Sequence, residues 1–92
     1  FRAGAASEPP GPGANAAGLA LFRYRTRCGT VFGHTGNTFG YTQFAAADPD
    51  GRRSVTVTVS SQISRRSPGL LRALRRAQAE AVCAALAGGS PR

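Results

Sequence analysis

Hydrophobic and polar positions alternate most cleanly in Ser54-Val55-Thr56-Val57-Thr58-Val59-Ser60. Valine at every second position makes one apolar face and threonine the other, and β-branched side chains suit a pleated backbone. The pattern predicts a strand within Arg53–Ser61. Asp48-Pro49-Asp50-Gly51 just before it is a turn signal: Asp and Pro set the corner, and Gly accepts the positive φ such a corner can need. Gly40–Ala47, with Tyr41, Thr42, Gln43 and Phe44 in its middle, is then the partner strand, so 41–60 reads as a hairpin. A looser alternation runs from Leu19 to Arg27. Arg23, Arg25 and Arg27 fall on one side, and Phe22, Tyr24 and Thr26 on the other, which predicts a strand with one polar face. Cys28-Gly29-Thr30 is expected to turn, and Val31 to Thr35 to return as the second strand of a hairpin.

The period changes after Ser67-Pro68. Serine suits a helix cap, and proline suits the first turn. Leu71, Leu74, Val82 and Ala85 share one stripe, with Arg72, Arg76 and Glu80 opposite. The helix is predicted to run to about Ala87, to stop at Gly88-Gly89 and to lay its leucine face on the sheet. The expected fold class is α+β: an antiparallel sheet of three to four strands with a C-terminal helix packed on one face. Residues 1–17 are mostly Ala, Gly, Pro and Ser, and Pro9-Pro10-Gly11-Pro12-Gly13 offers no apolar face. They are expected to be a disordered linker or the truncated remnant of a preceding domain. Residues 18–87 would be the folded part and 88–92 a flexible tail.

Ninety-two residues make at most one small domain. No window approaches the roughly 20 apolar residues of a membrane span. The start at Phe1 suggests a processed chain or a fragment. No basic-then-apolar leader opens it, so an exported parent would carry its signal upstream. The net charge is +8, and all 12 cations are arginine. Such a balance raises nucleic acid or another polyanion as a partner. Against that, the arginines are spread over three elements, and Ala, Gly and Arg in place of Lys, Ile and Met fit a GC-rich coding sequence. No helix-turn-helix, zinc-finger or RNP pattern is present. Cys28 and Cys83 are compatible with one disulfide or with two buried thiols. Neither has zinc-ligand spacing, and there is a single histidine, so neither a metal nor another cofactor is expected.

The chemistry concentrates in Val31-Phe32-Gly33-His34-Thr35-Gly36-Asn37-Thr38, followed by Gly40-Tyr41. A strand ending in a glycine-flanked polar corner lets a backbone come close to something, and an imidazole changes charge near neutral pH. On residue types alone, a lone strand histidine is more often a surface residue, Thr35 a strand former and the glycines markers of bulges.

With the order hairpin, His-Thr-Gly, hairpin, helix, the stretch resembles the third active-site motif of the serine β-lactamase and D-alanyl-D-alanine peptidase superfamily. There the triad is Lys-Thr-Gly in many members and His-Thr-Gly in some. The resemblance spans roughly 18–87. It includes Cys28-Gly29, the Gly33–Thr38 string, Gly40-Tyr41, Asp50-Gly51-Arg52-Arg53-Ser54-Val55 and the last helix. It looks most similar to the D-alanyl-D-alanine carboxypeptidase and class C β-lactamase branch, and it implies part of that fold. It would put His34 in place of the usual lysine and let the Thr35 hydroxyl donate to a substrate carboxylate. Gly36 would admit the substrate backbone, and the Asn37 N–H would serve as one oxyanion-hole donor. The Asn37 side chain or the Thr38 hydroxyl would add a substrate hydrogen bond. It also implies a Cys28–Cys83 bridge, a peptidoglycan peptide or β-lactam as substrate, and an extracellular or cell-envelope location for the parent protein.

Two family motifs are missing. Ser-x-x-Lys is impossible without lysine, and Tyr24-Arg25-Thr26 and Tyr41-Thr42-Gln43 both fail Tyr-x-Asn. The Gly-Leu-Gly common before this hairpin reads Gly18-Leu19-Ala20. Without a nucleophile or base there is no acyl transfer. The chain is thus expected to be a C-terminal hydrolase fragment that is inactive alone. The competing expectation is a small Arg-rich module that binds nucleic acid or another polyanion.

Overall fold

The computed structural model describes residues 2–18, 21–38, 40–61, 63 and 65–87. Six strands and one helix follow in order: β1 (Arg2–Ala3), β2 (Ala14–Ala17), β3 (Phe22–Thr26), β4 (Gly29–Thr38), β5 (Tyr41–Ala47), β6 (Ser54–Val59) and α1 (Pro68–Leu86). The strands form one antiparallel sheet in sequence order. The class is α+β, with one helix among the described residues, C-terminal to the sheet. Six strands replace the expected three or four. The two additional ones come from the stretch expected to be linker, where Ala14–Ala17 pairs with Phe22–Arg25 and Arg2–Ala3 pairs with Ala16–Ala17. Alanine and asparagine carry no apolar alternation, so tertiary pairing and not propensity makes these strands.

Period-two side-chain direction divides the sheet. Tyr24, Val31, Phe44 and Ala46 are buried on the inner face and cluster with Val82 of α1; Phe22, Val55, Val57 and Leu86 pack around them. The Tyr24 and Phe44 rings meet edge-to-face at 5.4 Å, a favoured aromatic geometry. Cross-strand registers explain the cluster: Tyr24 lies opposite Val31, Phe44 opposite Val57 and Ala46 opposite Val55. His34, Gln43, Ala45, Thr56 and Thr58 face outward and are exposed.

The helix carries Pro68 in its first turn, but the Ser67 side chain makes no capping bond, contrary to expectation. Its buried residues are Leu74, Gln78 and Val82. Gln78 is a polar member of the stripe, and its amide atoms have no hydrogen-bond partner among the described residues. The expected helix stop at Gly88-Gly89 and the tail 88–92 lie outside the described residues, as do Leu19 and Ala20. The turn after β3 is Arg27-Cys28, tighter than expected, because Gly29 and Thr30 already belong to β4. Gly29 adopts a φ of 140°, and a Cβ there would press on Leu86 of the helix. Cys28 and Cys83 are disulfide-bonded, with Cα atoms 5.1 Å apart, which fastens this turn to the helix. At the other hairpin, the Asp48 carboxylate accepts the N–H groups of Arg52 (3.0 Å) and Arg53 (3.3 Å), and Gly51 has a φ of 71°.

Residues 4–13 link β1 to β2 and cross the inner face. The ends of this loop are tied by Gly4 N–H to the Asn15 carbonyl at 3.2 Å. The Asn15 side chain holds its middle, accepting Gly11 N–H at 2.9 Å and donating to the Gly11 and Gly13 carbonyls. Ser7, Pro9, Pro10, Gly11 and Pro12 are buried.

Candidate functional site

The His-Thr-Gly corner sits in the second half of β4. β5 pairs with β4 up to Thr38, opposite Tyr41, whereas the β3 register stops at Gly33, opposite Phe22. Among the described residues, 34–38 are therefore paired on one side only. A one-sided strand presents backbone N–H and C=O groups to whatever lies beside it.

Alternation splits the candidate residues between two faces. His34 is exposed on the outer face, opposite Ala45. Gly36 follows on that face, and no described atom lies within 4 Å of where a Cβ at Gly36 would stand. Gly33 differs, because a Cβ there would collide with the Ala45 carbonyl of β5. The glycine at 33 is thus demanded by the chain's own packing, and the glycine at 36 is not. Thr38 ends β4.

Thr35 points inward and is buried. Its hydroxyl lies 2.8 Å from Ser7 Oγ and is hydrogen-bonded to the Pro9 carbonyl. Tyr24 donates its phenol proton to Ser7 Oγ at 2.9 Å, and Ser7 donates to the Pro9 carbonyl at 3.0 Å. The three hydroxyls are mutually satisfied: Tyr24 gives to Ser7, and Ser7 and Thr35 both give to one carbonyl with two lone pairs. Burial pushes the Tyr24 phenol above its ordinary pKa, and the hydrogen bonds with Ser7 and Thr35 pull it part of the way back.

Asn37 also turns inward. Its Nδ2 donates to the Ile63 carbonyl at 3.2 Å, and its Oδ1 lies 2.6 Å from the Thr42 hydroxyl. That hydroxyl also accepts Ile63 N–H at 2.8 Å and lies 2.7 Å from the Ser61 carbonyl. The side chains of Thr35 and Asn37 are therefore occupied within the chain. Among the described residues, His34 is exposed, no atom lies over Gly36, and the backbone of 34–38 is paired on one side only.

Sequence reasoning missed Ser7, Pro9 and Tyr24 as neighbours of the motif. Ser7 lies 28 residues from Thr35, inside a stretch with no periodic signal. A second outward feature is an open groove of about 520 Å³ lined by Leu21, Phe32, Ala47 and the Asp48–Gly51 turn. Among the described residues, no group of three or more His, Cys, Asp and Glu could hold a metal, and no helix is long and apolar enough to cross a membrane. No protein-family model matches this chain, and no solved structure matches it.

Proposed function

We propose that residues 18–87 are the C-terminal part of the catalytic domain of a penicillin-recognising serine hydrolase of the D-alanyl-D-alanine carboxypeptidase or class C β-lactamase type. In this reading β4 is a substrate-binding wall, and the sheet with its terminal helix is part of that family's fold. The observation that carries the reading is that, among the described residues, 34–38 are paired on one side only, with His34 exposed and no atom over Gly36. A substrate chain can lie along such an edge, and the Asn37 N–H can serve a developing oxyanion from it. Losing an oxyanion donor typically raises a barrier by about 3 kcal/mol. His34 supplies a hydrogen bond or positive charge near the substrate.

The chain itself attacks nothing, because it lacks Ser-x-x-Lys and Tyr-x-Asn. The substrate is a peptidoglycan peptide or a β-lactam, and the complete protein works outside the cell or in its envelope. The test is the coding sequence upstream of Phe1, which should contain both missing motifs; finding neither sinks the reading. A fluorescent penicillin should leave the 92-residue chain unlabelled.

A second reading has its own observation. Arg23 and Arg25 stand on the sheet face opposite the helix, beside Thr30 and Phe32. This face would bind a polyanion through phosphate contacts. Its affinity would fall steeply with salt, and salt-independent binding would rule it out.

A further inference from the structure

The loop of residues 4–13 is held as a bound peptide would be. From the sheet, Thr35 donates to the Pro9 carbonyl and Tyr24 donates to the Ser7 hydroxyl. The Tyr24 ring lies so close beneath Gly11 that a Cβ there would collide with it. From the helix, Arg75 Nε donates to the Gly11 carbonyl at 2.9 Å and Nη2 to the Gly13 carbonyl at 2.8 Å. Arg65 meets Glu8 at 3.1 Å. Apart from the Ser7 and Glu8 contacts, these ties address the loop's main-chain carbonyls, the groups any extended peptide presents. The slot also differs from an ordinary core: buried hydroxyls and a guanidinium line it where apolar side chains would be expected.

We propose that residues 7–13 are a cis-acting plug on the Thr35 side of β4. The Pro9 carbonyl takes the Thr35 hydroxyl that would otherwise receive a carboxylate or carbonyl oxygen from a ligand. An outside ligand reaches Thr35 only when the plug lifts. The proposal rests on the reading of Thr35 as a substrate donor and adds regulation of that site. Its quantitative form is simple. The apparent dissociation constant equals the intrinsic one divided by the fraction of open molecules, so anything that opens the plug tightens binding by the same factor.

The full oxidised chain tests this in three forms: unmodified, Gly11→Ala, which drives a methyl into the Tyr24 ring, and Arg75→Ala, which cuts the helix ties without adding bulk. Hydrogen exchange over residues 7–13 measures opening, and circular dichroism checks that each form is folded. N-acetyl-D-alanyl-D-alanine is titrated by NMR while the Thr35 amide is followed. In the folded variants, exchange of the loop should rise tenfold or more, and the apparent affinity should rise by the same factor. If the ligand binds at Thr35 equally well in all forms, or without loss of loop protection, the plug is overturned alone. If the loop opens and no form binds at Thr35, the substrate reading of Thr35 is overturned and the plug with it. If neither variant changes loop exchange, the ties described here do not hold the plug, and the proposal fails.

Discussion

The helix and the loop of residues 4–13 cover the same face of one sheet by opposite means. The helix brings Val82 and Leu86 to the valines and aromatics and is fastened by a disulfide. The loop brings the buried Ser7, Pro9, Pro10, Gly11 and Pro12 and is fastened by hydrogen bonds to hydroxyls and arginine. Apolar burial is non-directional and tolerates sliding. Hydrogen-bond networks demand one geometry and are costly when half-satisfied. The helix cover should therefore be strong and forgiving, and the loop cover weaker and exacting.

Cutting the disulfide should produce the largest effect. A bridge closing 55 residues contributes about 4 kcal/mol in the chain-entropy picture. Reduction, or Cys28→Ala with Cys83→Ala, should lower the denaturation midpoint accordingly. An unchanged midpoint would mean that apolar packing alone holds the helix.

Gln78→Leu should move stability the other way. It removes a buried amide that has no partner among the described residues and adds apolar contact, so a gain of about 1–3 kcal/mol is expected in the same denaturation measurement. A loss would show that the amide is satisfied in solution.

On the loop side, Thr35→Val keeps the volume and removes one donor. Pro9 still receives Ser7, so the expected cost is about 1–2 kcal/mol, with faster hydrogen exchange in residues 7–13 than in α1. Equal acceleration in both covers would erase the distinction drawn between them.

Alkali should also act on the loop side. The Tyr24 phenol is raised above its unfolded value of about 10, so the fold favours the neutral form. Its contribution is complete below that value and is lost as pH rises through the folded pKa. Stability should fall above about pH 10. In Tyr24→Phe that fall should be shallower, even though the variant starts less stable.

The sequence showed what periodicity can carry. Val55, Val57 and Val59 forecast β6, Asp48–Gly51 forecast its turn, and Leu74 and Val82 forecast the buried side of α1. It did not show β1, β2 or the folded loop, because alanine, proline and glycine have no apolar alternation to read. The partners of Tyr24 and Thr35 lie 17 and 28 residues away, at a single serine that no local pattern marks. Gln78 sits where the stripe should be apolar, so the stripe predicted the face correctly and its chemistry incompletely. At the motif, the alternation that placed Thr35 in a strand also sent its hydroxyl away from His34. That separation becomes visible only once the inner face is known.

The neighbour-to-neighbour strand order has a consequence in time. Every strand finds its partner in the segment made just before or after it, so the sheet closes short loops, which is entropically cheap and fast. Cys28 must instead wait for a helix 55 residues later. During oxidative refolding, thiol trapping should therefore capture both cysteines unpaired after the sheet signal has appeared. The covalent bond then records an assembled sheet and helix and does not direct their assembly.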